Sequence, residues 1–374
     1  MEQQSDLTQG KVIPTLLKFA FPFLLASLLQ ALYGAADLVV VGQFDTSAQV
    51  SSVATGSQIM QTITGVILGL TTGGTILIGH YLGAKKDRDI AESVGTIICI
   101  FGIMAVILTV ILILVGVMHM GAAGAAIATI AAQTISFVLG VLYIKKNGFA
   151  FEFHRSDIRL KAIKTKKIFE LGLPIALQDG LINISFIIIT AVINKMGLTA
   201  SASLGVVEKI IVFAMLPTIA FASAIAAMTA QNMGARKPER AKQCLYIGTA
   251  CSLVMGIMFY VYAQWNPTSM TALFSKDAQV IAIAALYLRS YSLDCILVCF
   301  VFCMNSFFSG CGNSLFPMIH SLLATFIIRI PVSFILSKRA GITLYEIGFA
   351  SPMATLASLG MCVIYMKSGK WNNN

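Results

Sequence analysis

Ten stretches of mostly apolar residues fill this chain, and each is long enough to cross a lipid bilayer. They run over residues 13–36, 52–80, 91–117, 121–144, 168–194, 205–231, 243–264, 278–309, 315–337 and 343–366. A helix needs about 20 apolar residues to span the hydrocarbon. Backbone N–H and C=O groups can be satisfied there only within helices or closed barrels. The runs lack strand alternation and are too long for barrel strands. The expected fold class is therefore all-α, a polytopic membrane protein. Charged residues make up 11% of the chain, whereas soluble domains carry about 25%, too small a share to cover a water-facing surface.

Nearly all of the charge lies between the runs, and the basic residues are concentrated in alternate loops. Lys11 and Lys18, then Lys85, Lys86 and Arg88, then the basic run from Lys145 to Lys167, fall on one side. Arg236, Lys237, Arg240, Lys242, Lys367 and Lys370 join them there. The other side has Lys195, Lys276, Lys338 and Arg339. This is the positive-inside pattern, and it predicts a multi-pass protein of the plasma membrane with both termini cytoplasmic. A net charge of +10 placed this way answers to the bilayer. No nucleic-acid-binding motif accompanies it, so nucleic acid is not an expected partner. Glu2 and Asp6 lie in a polar start, so no cleavable leader is read and span one serves as its own insertion signal. Cys295, Cys299 and Cys303 share one helical face without a Cys-x-x-Cys or Cys/His pair, which points to packed thiols and not to a metal.

The chain also repeats itself. Pro22 opens span one and Pro174 opens span five. From Pro22 to Gly83 is 61 residues and from Pro174 to Gly234 is 60. The segments that close these units match as well, Gly83-Ala84-Lys85-Lys86 against Gly234-Ala235-Arg236-Lys237. Both copies start on the same side, so the repeat is parallel, about an axis along the membrane normal. The remainders differ: Gly83 to Lys145 is 62 residues, Gly234 to Lys367 is 133, a shortfall of 71. Two helical lobes of about four and six spans follow, with the join near Gly116 to Gly121. The expected division is a shortened N-terminal lobe, 1–144, a basic linker, 145–167, and a six-helix C-terminal lobe, 168–374. The linker lies on the anionic inner leaflet or is a solvated connector.

Ionisable groups inside such spans are expensive and mark function or structural pairing. Gln30, Tyr33 and Asp37 share one stripe of span one. A carboxylate there must face a wet cavity, bind a cation or take a proton, which makes Asp37 the candidate Na⁺ ligand. The alternative places Asp37 at the outer interface. Thr129 and Gln133 on span four are polar groups able to face the same interior or to bond their own helix. Gln178, Asp179 and Asn183 lie on span five; Arg289, Asp294 and Asn305 on span eight. Asp179 and Asp294 are candidate cation or proton sites of the second lobe. The competing reading for Asp294 is an ion pair with Arg289 or Arg329. Gly65, Gly69 and Gly73, and Gly121, Gly124, Ala125 and Ala128, form small-residue steps suited to close helix packing. No Walker loop, G-x-S-x-G, H-E-x-x-H or Rossmann glycine run is present. An enzyme and a bound cofactor are not expected, and uphill transport would draw on a Na⁺ or H⁺ gradient.

Six stretches together resemble the multidrug and toxic compound extrusion (MATE) family of secondary transporters: Gln30 to Gly42, Gly69 to Ala84 ending in HYLGA, Gly121 to Gln133, Leu171 to Gln178 (LGLPIALQ), Gln231 to Ala241 (QNMGARKPERA), and Tyr287 to Pro317 with NSFFSGCGNS. The resemblance implies two bundles about a pseudo-twofold axis and exchange of Na⁺ or H⁺ for organic cations. It implies that Gln30, Tyr33 and Asp37 line the first lobe's ion or proton site, and that Thr129 matches a threonine of that site. It also implies that the family's fourth and fifth helices are missing here, with the Asn and Asp that the fifth sets beside the first-helix acid. The expected function is a cation-coupled antiporter exporting small organic cations or drugs. The alternatives are a lipid-linked oligosaccharide flippase and a transport-incompetent deletion product.

Overall fold

The computed structural model describes residues 7–44, 47–116, 151–339 and 341–372; the side chains of 33–63 and 108–116, and that of Arg155, fall outside the description. The apolar run 121–144 also lies outside it. Every regular element among the described residues is helical, and nine helices there are long and apolar enough to cross a membrane.

The first lobe contributes α1 (Val12–Phe44), α2 (Ser47–Gly83) and α3 (Asp87–Gly116). The second begins with α4 (Ala162–Asn194), α5 (Leu198–Gly234) and α6 (Pro238–Trp265). A short α7 (Pro267–Ala272) leads into α8 (Ala278–Gly310). The ninth apolar run is one span in three pieces: α9 (Leu315–Leu323), a π-helical turn Ala324–Arg329, and α10 (Ile330–Ser337). The last is broken into α11 (Leu344–Gly348) and α12 (Ala350–Lys367). A π turn leaves backbone groups out of α-helical register, a deviation common at functional sites.

Helix α4 starts at Ala162, ahead of its apolar run, because ion pairs tie its basic beginning to α3: Lys161 with Glu92 and Lys164 with Asp89. Lys164 also places its ammonium 4.0 Å over the Tyr81 ring of α2. Charge that would be stranded at the membrane edge is thereby matched within the protein.

The internal repeat reappears in the backbone. Helix α2 ends with Lys85 at φ 56 and α5 with Arg236 at φ 58. Lys86 N–H donates to Tyr81 O at 3.0 Å, and Lys237 N–H to Asn232 O at 2.8 Å. These are the same left-handed C-terminal caps at equivalent positions. The contacts between lobes are reciprocal too. A Cβ on Gly83 would lie 1.9 Å from Gln231 O, and one on Gly234 would lie 2.0 Å from His80 O. Gln231 and His80 each sit three residues before the glycine of their own repeat, so the twofold relation passes between these two helix ends.

The lobes adhere at this basic end. A Cβ on Gly73 would come within 2.5 Å of Gly172 N, and one on Gly69 within 2.5 Å of Ala176 N. His80 Nε2 lies 2.8 Å from Gly310 O of α8. Leu16 and Ala20 of α1 are buried in a core with Ile225 and Met228 of α5 and Phe307 and Phe308 of α8. The small-residue steps read from the sequence as packing sites are therefore, at Gly69 and Gly73, the seam between the two lobes. Beyond Ala20, α1 turns Phe21, Leu25, Leu28, Leu29 and Leu32 outward. Large exposed apolar side chains over most helices face the bilayer, where lipid replaces the water that would otherwise penalise them.

Candidate functional site

The described seam ends at Gly69, which is locked against Ala176; one turn further along α2, at Gly65, a Cβ would meet no described residue within 4 Å. On α4 the stripe that makes the seam is Gly172 and Ala176; Asp179 and Asn183 continue it by helical spacing and are exposed. A carboxylate and an amide therefore stand just past the point of contact. Gln30 is exposed on the open part of α1. Tyr33 and Asp37 lie on the same helix, with side chains outside the described set, and Thr129 lies outside the described residues altogether.

Beside Asp179, the second lobe holds a buried polar network that sequence reasoning found only at its edges. Gln178, one residue before Asp179, donates from Nε2 to Ser321 Oγ of α9 at 3.2 Å. Asn305 of α8 reaches the same hydroxyl at 3.5 Å. Asn305 Oδ1 is 2.8 Å from His320 Nε2, and His320 Nδ1 is 2.7 Å from Ser358 Oγ of α12. An accepting Asn305 Oδ1 puts the hydrogen on Nε2, leaving Nδ1 to accept from the serine hydroxyl. Cys362 Sγ lies 3.4 Å from the same Nε2. Three helices are thus tied through one imidazole that is 1% exposed, and Gln178 joins α4 to them through Ser321. A lone histidine in an apolar run carries no periodic signal, so only its neighbours in space reveal the role. Replacing His320 by alanine leaves Asn305 and Ser358 unpaired beside a cavity. A loss of about 3 kcal/mol in stability is expected, read as a lower unfolding temperature in detergent, with glutamine restoring part of it.

A second polar centre lies deeper. Asp294 of α8 is 3% exposed and accepts from Ser351 Oγ at 3.0 Å. It forms no ion pair with Arg289 or Arg329 among the described residues, so the structural pairing considered above is not made. Arg329, at the end of the π turn, is also buried and stacks its guanidinium 4.0 Å over the Phe186 ring of α4. Asp179 is exposed beyond the seam, whereas Asp294 is buried inside the bundle. No cluster of three metal-ligating His, Cys, Asp or Glu side chains occurs among the described residues.

Two helical lobes, sealed along small residues at one end with exposed polar groups just past the seal, are the frame of a polytopic membrane transporter. The MatE family model matches residues 22–146 and 174–335. The chain belongs to that family, whose members are transporters and not enzymes. It is 22% identical to the probable multidrug resistance protein YoeA of Bacillus subtilis, covering 96% of this chain and 95% of that one. It is 22% identical to the probable multidrug resistance protein NorM of Thermotoga maritima, over 95% and 92% of the two chains. The YoeA alignment runs over 442 positions against a chain of 374 residues, so the relative carries residues without a counterpart here. Among solved structures, a MATE transporter in complex with MaL6 superposes with a TM-score of 0.88 at 14% identity over 100% of both chains. A point mutant of the Vibrio cholerae MATE transporter VcmN gives 0.85 at 16% identity over 96% of this chain and 98% of that one. These superpositions establish the fold.

Proposed function

We propose that the protein is a Na⁺- or H⁺-coupled antiporter that exports organic cations across the plasma membrane. The observation that carries this reading is Asp179, exposed directly beyond a seam tight enough to close one end; the space past that seam is the proposed substrate cleft. With the basic loops on the cytoplasmic side, as the charge pattern predicts, the sealed end faces the cytoplasm and the cleft opens outward. A cation in the cleft is attracted by the Asp179 carboxylate in surroundings of low dielectric, and Gln30 and Asn183 add polar contacts. Asp37 is the group through which a coupling ion would act, since neutralising an acid on α1 changes which helix arrangement is cheapest. The relatives named as multidrug resistance proteins favour drug-like cargo over a lipid-linked oligosaccharide. The division into lobes at 1–144 and 168–374, joined by a basic linker, is the frame for this motion.

The test is purified protein in vesicles loaded with ethidium. An imposed Na⁺ or H⁺ gradient is expected to drive ethidium movement, and dissipating the gradient to stop it. Flux that ignores both gradients would remove the antiport reading.

A further inference from the structure

The segment just before α1 belongs by sequence to the first lobe, yet it is bound by side chains of the second. Leu7 N–H donates to Gln231 Oε1 at 3.2 Å. Leu7 O accepts from Asn232 Nδ2 at 3.2 Å and from Arg240 Nε at 3.3 Å. Thr8 O accepts from Lys237 Nζ at 3.0 Å. Gln9 O and Gly10 O accept from the two terminal nitrogens of Arg240, at 2.5 and 2.8 Å. All four carbonyls of Leu7–Gly10 are therefore taken by donors from the end of α5, the loop after it, and the first turn of α6. Arg240 alone grips three of them, which a guanidinium fork can do and an ammonium on a flexible stem cannot. The Leu7 side chain is buried in the second lobe's core, and Gly10 at φ +73 makes the turn that leads into α1.

These bonds lie at the same end as the Gly83–Gly234 approach, so they cross the plane along which the lobes must part. We infer that Leu7–Gly10 is a latch, clamped by Arg240, that holds the cytoplasmic end shut until it is released. The inference rests on the transport reading, through its alternation between two lobe arrangements. Bonds from a charged donor are stronger than neutral ones, and Arg240 makes three. Losing them removes stabilisation from the closed arrangement and none from an open arrangement in which the latch is already undone.

The experiment is a distance measurement by double electron–electron resonance on the full chain in lipid nanodiscs. Spin labels replace Lys86 and Gln243, with the partly exposed Cys99 and Cys251 changed to serine. Arg240→Ala is expected to raise the ratio of open to closed lobes at the basic end about tenfold or more. Arg240→Lys, which keeps the charge but not the fork, is expected to retain most of that shift. Lys242→Ala, close by on α6 and paired with Glu239, removes an equal charge without touching the latch and should leave the ratio unchanged. A wild type with two distances that neither arginine variant redistributes would overturn the latch alone. A wild type with one distance at every Na⁺ concentration, pH and ethidium concentration would overturn the alternation reading and the latch with it.

Discussion

Changing Gly83 to valine is expected to cut gradient-driven ethidium flux by about a hundredfold while leaving membrane insertion intact. A Cβ there would sit 1.9 Å from the Gln231 carbonyl, and the reciprocal Gly234 faces His80 O at 2.0 Å. The obstructing atoms are backbone, so no side chain can turn aside and the helices themselves must separate. Overpacking against movable side chains already costs about 1–3 kcal/mol, and each 1.4 kcal/mol is a factor of about ten in an equilibrium. The cost falls only on the arrangement in which this end is closed. Gly73→Val, aimed at Gly172 N, should act in the same direction. Gly360→Val, on α12 and away from the seam, is the control, since no described residue lies within 4 Å of a Cβ there, and wild-type flux is expected. Flux through Gly83→Val at the wild-type rate would mean that this seam is not part of the transport cycle.

Asp37→Asn and Asp179→Asn are expected to fail in different ways. With Asp37 as the coupling acid, its amide should abolish the dependence on a Na⁺ or H⁺ gradient without changing the amount of folded protein. Asp179 is exposed beyond the seam, and its amide should weaken binding of the cationic cargo instead. At about 4 Å and an effective dielectric near 20, a charge pair is worth up to about 4 kcal/mol. Solvent in the open cleft reduces this, and a rise of about tenfold in the half-saturating ethidium concentration is expected, with the gradient dependence retained. Vesicle flux at several dye concentrations separates the two effects. Unchanged gradient-driven flux in Asp37→Asn would take that residue out of the mechanism, and an unchanged half-saturation in Asp179→Asn would take the cleft acid out of recognition.

Much of this architecture is written in local patterns that need no folding to be read. Length and apolarity of each run specify membrane helices, because lipid offers the backbone no other partner. Loop charge marks the two sides, and the matched pair Gly83-Ala84-Lys85-Lys86 and Gly234-Ala235-Arg236-Lys237 is a repeat that returns as two matching caps. Polar residues within spans are visible as costly exceptions: Gln178, Asp294 and Asn305 take part in polar networks, and Asp179 is exposed beyond the seam.

What stays hidden depends on which helix faces which. Gly69 and Gly73 look like generic packing glycines, and only the apposition of α2 with α4 makes them the seam between lobes. His320 and Ser321 stand far in sequence from Ser358 and Cys362, and they become one site because three spans converge on Asn305. Arg240 reads as one positive charge among many in a basic loop, yet it reaches back more than two hundred residues to hold three carbonyls. Residue order alone marks the chain as a many-spanning membrane protein, predicts which side its loops prefer, and displays a repeated segment. These follow from solvation, which acts on each segment separately. Where the two halves touch, where they part and which polar groups meet are set only once the helices pack, because those contacts join residues far apart in the chain and leave no local mark.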